Sequence, residues 1–129
     1  SKASRGGIQS KKETLMSRNT FEDAAAKAIQ FRDDREWKPF HNPKDLAISV
    51  SLEASELLEL FQWSGADLEA AGKKPQMAEE LADVMIYCIY MADALHIDIP
   101  DAILKKIEKN AAKYPVDKAK GNSKKYTEL

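Results

Sequence analysis

The chain has 129 residues, 43% of them apolar, which suffices for one small domain with its own core. Its 20 basic residues against 21 acidic leave a net charge of -1, which argues against a binder of nucleic-acid polymers, where a basic excess is the rule. One cysteine, Cys88, and two histidines, His41 and His96, exclude a disulfide framework and a cysteine metal cluster and disfavour a histidine zinc site. No apolar run approaches the roughly 20 residues of a membrane span, and no apolar signal core opens the chain, so the expected setting is the cytoplasm, away from membranes.

Residues 1–19 are polar and aperiodic and read as a flexible arm. Four helices follow. The first has Thr20 as its N-cap, Asp23 in the box position, and runs to about Trp37. The second has Asn42 as cap and Pro43 as first helical residue, and runs to about Trp63, before Gly65. The third covers about Gln76 to Leu95. The fourth opens near Pro100 with Asp98 at the cap and stops before Pro115. Residues 20–115 thus form one helical domain, and 116–129 a lysine-rich tail that contributes to a site or an interface. No strand alternation interrupts the pattern, so the fold class is all-α, a four-helix bundle.

Two helices carry more apolar residues than one face needs. On the second, Leu46, Val50, Leu57 and Phe61 make a stripe while Ile48 and Leu52 point elsewhere. On the third, Met77, Leu81, Val84, Cys88 and Leu95 make a stripe, with Ile86 and Ile89 roughly opposite. The surplus predicts an oligomer.

Acids interrupt these stripes. Glu53 lies within the stripe of the second helix and Glu56 one turn on; Glu80 and Asp83 flank that of the third, with Tyr87 on the same side. The spacing itself is weak, since Asp33-x-x-Glu36 and Asp98-x-x-Asp101 share it. Placement is the signal: ionised acids are costly to bury unpaired, so neighbouring cations or a divalent metal must neutralise them, unless they are solvated at the bundle rim. Oxygen ligands without histidine favour Mg²⁺ or Mn²⁺, and Mg²⁺ held by acids most often works on phosphates.

Glu53-x-x-Glu56, 23 intervening residues and Glu80-x-x-Asp83 resemble the signature of the MazG-like all-α nucleotide pyrophosphohydrolases. The segments Phe40-His41-Asn42-Pro43, Glu59-Leu60-Phe61-Gln62-Trp63, Lys113-Tyr114-Pro115 and Ser123-Lys124-Lys125-Tyr126-Thr127 resemble the dCTP pyrophosphatase branch. The resemblance implies hydrolysis of a nucleoside triphosphate to monophosphate and pyrophosphate. It implies Mg²⁺ on Glu53, Glu56, Glu80 and Asp83, and a homotetramer built as a dimer of dimers. The implied role is clearing unwanted or excess nucleotides, with dCTP or modified dCTP preferred. One carboxylate takes the proton of the attacking water, and Glu56 is favoured over Glu53.

The resemblance also implies nucleoside contacts at His41, Trp63, Tyr87 and Asn110. Each has a plainer reading: a loop histidine, a core tryptophan, a seam filler and a helix-to-helix amide. Asn110 falls between Ile103, Ile107 and Tyr114 on the apparent core stripe of the fourth helix, where a buried amide needs partners and suits a pyrimidine edge. Lys113 and Lys124 are the expected phosphate clamps. Two rivals stand beside this reading. One is the same chemistry on dUTP or another nucleotide; the other is a non-catalytic helical oligomer that binds nucleotide or metal.

Overall fold

The computed structural model describes residues 19–121, 123 and 127, and among these every regular element is helical. We label them α1 (Phe21–Asp34), a 3₁₀ turn (Lys38–Phe40), α2 (Pro43–Glu59), α3 (Lys74–Leu95), α4 (Ile99–Lys113) and α5 (Val116–Ala119). No helix among the described residues is long and apolar enough to cross a membrane. The chain forms two compact units, the first reaching Met91 and the second starting at Ala92.

The caps follow from the sequence. Thr20 Oγ1 accepts from the Asp23 amide at 3.2 Å, Asn42 Oδ1 from the Asp45 amide at 2.9 Å, and Asp98 Oδ1 from the Asp101 amide at 2.9 Å. Each bond satisfies an amide that the helix leaves without a partner. Proline in the first turn of α2 and of α4 sacrifices no helical bond.

Two helices end sooner than their patterns suggest. After Asp34, the Glu36 amide donates to the Asp33 carbonyl and the Trp37 amide to the Arg32 carbonyl, with Glu36 at φ 54°. A left-handed residue in this bonding pattern closes a helix, so Trp37 stands outside α1. Past Glu59, the Phe61 amide bonds to Leu58 and the Gln62 amide to Glu59, so α2 tightens into turns before reaching Trp63.

In the first unit the buried apolar residues are Leu46, Ala70, Ile89 and Tyr90. Ile48 and Leu52 are exposed, as their positions off the main stripe of α2 require. On α3 the order reverses. Ile89 and Tyr90 are buried while Leu81 and Leu95 of the presumed core stripe are exposed. A helix apolar on two sides does not announce which side its own chain will cover. In the second unit Ile103, Leu104 and Ile107 are exposed along α4. Asn110 shares that exposure. The expected burial of its amide is therefore corrected, because the apolar stripe it shares on α4 is itself exposed.

Candidate active site

The i, i+3 spacing places Glu53 and Glu56 on one side of α2, and Glu80 and Asp83 on one side of α3. The two pairs meet. One carboxylate oxygen from each of the four residues lies within 4.8 Å of the others. Glu53 and Glu80 are half-buried, Glu56 and Asp83 exposed.

No cation among the described residues pairs with these acids. Glu53 Oε2 and Glu80 Oε2 are buried and accept no hydrogen bond. An ionised carboxylate so placed loses its hydration and gains nothing back. Burial, then a proton shared with Glu56, then the charges of Glu56, Asp83 and Glu80 push the Glu53 carboxyl up to about 7. Burial and the same neighbour Glu56, with the charges of Asp83 and Glu79, raise Glu80 as well. Clustered hard oxygen donors with orphaned lone pairs fit a divalent cation of the Mg²⁺ type. Of the two ways to neutralise the quartet, protein cations are absent among the described residues, and the donor set suits metal.

Beside the acids, α1 and α3 enclose an open groove of ≈ 680 Å³. Its lining is mostly aromatic and aliphatic, with Lys27, Phe31 and Trp37 on the α1 side and Tyr87 and Tyr90 on α3. Asp83 lines it too, so one carboxylate belongs to both the quartet and the groove. The Phe31 and Trp37 rings meet edge to face with centroids 5.8 Å apart. Arg35 lies over the Phe31 ring at 3.5 Å and donates from Nη1 to the Phe31 carbonyl at 2.9 Å, which fixes that pair.

The other sequence candidates fall in different places. Tyr87 is half-buried and lines the groove. His41 follows the 3₁₀ turn, and its ring stacks on Tyr90 at 4.9 Å rather than lining the groove. Burial and then the nearby Arg32 charge lower its pKa, so it stays neutral near pH 7. Trp63 is 86% exposed in the turns after α2, which rules out the core reading within one chain. Asn110 and Lys113 belong to the second unit, both exposed on α4. Lys124 lies outside the described residues, as do residues 1–18 of the arm.

The sequence reading missed Phe31 and Trp37. It counted Trp37 as the last residue of a helix, and Pro39 permits that, since it disfavours helix only at Lys38; the left-handed Glu36 that ends α1 earlier carries no sequence signal.

The profile of the MazG-like family matches residues 48–129. dCTP pyrophosphatase 1 from Mus musculus is 36% identical over 115 residues, covering 85% of this chain and 68% of its own. The Homo sapiens dCTP pyrophosphatase 1 shows the same identity and coverage. A crystal structure of a pyrophosphatase from Archaeoglobus fulgidus superposes with a TM-score of 0.68 at 39% identity, over 76% of this chain and 94% of that one.

Proposed function

The chain belongs to the MazG-like family, and from that premise we propose that it hydrolyses a nucleoside triphosphate to the monophosphate and pyrophosphate, with dCTP or a modified dCTP preferred. The observation that carries this reading is the double membership of Asp83. An acid quartet able to hold metal and an aromatic-lined groove share a residue, so one ligand can engage both. A nucleotide has that form, with charged phosphates at one end and a base with π-faces at the other.

Glu53, Glu56, Glu80 and Asp83 would hold Mg²⁺, with Mn²⁺ as a substitute. When bound, the metal offsets triphosphate charge and lowers the pKa of water. The protein supplies the rest. A water attacks phosphorus in line, pyrophosphate leaves, and a carboxylate of the quartet accepts the water's proton. We assign that proton to Glu56, which faces both Glu53 and Glu80. Phe31, Trp37 and Tyr87 stack against the base and orient the α-phosphorus over the acids.

We further propose that the working form is a homotetramer, a dimer of dimers. The exposed Leu52 and Leu58 on α2 and Ile103, Leu104 and Ile107 on α4 support this, since a solitary chain would leave them in water. In that assembly Trp63, Asn110, Lys113 and Lys124 would serve the nucleotide, and His41 would serve it from behind Tyr90. We place the enzyme in the cytoplasm, where the lone thiol of Cys88 stays reduced.

The test is pyrophosphate release from a panel of unmodified and modified nucleoside triphosphates, with Mg²⁺ and with EDTA. Mg²⁺-dependent release, fastest with dCTP-type substrates, supports the reading. Faster release from dUTP or a purine nucleotide keeps the chemistry and replaces the base. Binding without release from any substrate would make the protein a nucleotide-binding oligomer instead.

A further inference from the structure

The groove has two walls, α1 and α3, and one residue fastens them together. The Tyr90 hydroxyl, on α3, donates to the Ala28 carbonyl of α1 at 2.9 Å. Ala28 and Tyr90 both line the groove, so this bond joins its two walls. Tyr90 is itself held from several directions. His41 stacks on its ring at 4.9 Å and 28° between planes. The Arg32 guanidinium lies 5.7 Å from the ring centroid. Arg32 is only 2% exposed and pairs with Asp33 at 2.9 Å. Neither His41 nor Arg32 lines the groove. The Tyr87 ring, which does, meets Tyr90 edge to face at 5.9 Å.

We propose that Tyr90, clamped by His41 and Arg32, is a positioning residue that fixes the spacing of the groove walls and the pose of Tyr87, and thereby selects for a flat ring in the groove. A buried arginine is rare and costly, so its presence behind a tyrosine in a small core asks for a reason. Holding that tyrosine in one rotamer is one use the geometry gives it. The proton of the Tyr90 hydroxyl is committed to Ala28, so Tyr90 offers the base a shape and no side-chain donor. The clamp acts on how tightly the base is gripped and leaves the acid quartet alone. This inference rests on the groove being the base site of the proposed hydrolase.

Tyr90→Phe keeps the ring and removes the fastening bond. Two quantities separate the possibilities: the kinetics of dCTP turnover with Mg²⁺, and competitive inhibition by inorganic tripolyphosphate, which has the phosphates but no base. KM for dCTP is expected to rise about fivefold, the scale of one hydrogen bond, with kcat and the tripolyphosphate inhibition constant holding. His41→Ala is expected to raise KM similarly, and His41→Phe, which restores a ring on Tyr90, to recover it. An unchanged KM in Tyr90→Phe overturns the proposal. So does an equal loss of affinity for dCTP and tripolyphosphate, which would mean a general structural role. If the unmodified protein turns over no nucleoside triphosphate, the proposed function falls first and the clamp loses its substrate with it.

Discussion

Trp37 meets Phe31 edge to face at an interplanar angle of 73°, in the turn where α1 gives out. Glu36, in the left-handed region at φ 54°, swings the chain so that Trp37 reaches the groove instead of continuing the helix. If that wall stacks on a base, Trp37→Ala should raise KM for the preferred nucleotide about tenfold, the scale of one lost base–aromatic stack. Steady-state kinetics on the variant measure it, and an unchanged KM would remove the groove from the binding site.

Glu53→Gln keeps the size of a half-buried side chain and removes its charge. We expect turnover to fall by about a thousandfold or more, with the oligomer intact by sedimentation, because a carboxylate ligand is lost while packing is preserved. A fully active variant would contradict the metal assignment.

The raised acids make a pH prediction with a definite sign. Glu53 moves up from 4.5 to about 7, and Glu80 moves in the same direction. Between those pH values the folded, metal-free protein holds protons that the unfolded chain has released. Their contribution to stability is therefore full at low pH and is lost as pH rises through the folded pKa. Without metal, Tm should fall between about pH 5 and about pH 8 by more than the rest of the protein accounts for. Glu53→Gln should flatten that fall. Mg²⁺ binds the ionised quartet, so its stabilising shift in Tm should grow across the same range. Thermal melts with EDTA and with Mg²⁺ test this, and a metal shift independent of pH would count against the quartet as ligand.

The exposed stripe of α4 predicts assembly. The unmodified chain should sediment as a tetramer, and Ile103→Glu should yield smaller species, because a charge in a buried apolar interface is unpaired. A monomer at micromolar concentration would contradict the assembly.

Local chemistry made much of this legible. The caps at Thr20, Asn42 and Asp98 announced their helices because short polar side chains satisfy the first amides. The four acids were visible because charge within apolar stripes demands an answer. Other features depend on tertiary partners that spacing does not encode. No motif singles out Tyr90, and its bond to Ala28 spans 62 residues. Nothing in the spacing marks Arg32 for burial, and only the fold buries it. Asn110 misled for the converse reason. Its stripe on α4 is real, but no surface among the described residues buries Asn110 there. The groove was hidden too, since Phe31 and Trp37 come together through a turn rather than a helical repeat.

The reaction is defined by the bond that is cut. Incubating dCTP with the protein and separating the products by ion-exchange chromatography, once with Mg²⁺ and once with EDTA, tests it in one experiment. The expected result is dCMP and pyrophosphate in equal amounts with Mg²⁺ and neither with EDTA. Release of dCDP and inorganic phosphate would contradict the account, and so would cleavage that proceeds unchanged in EDTA.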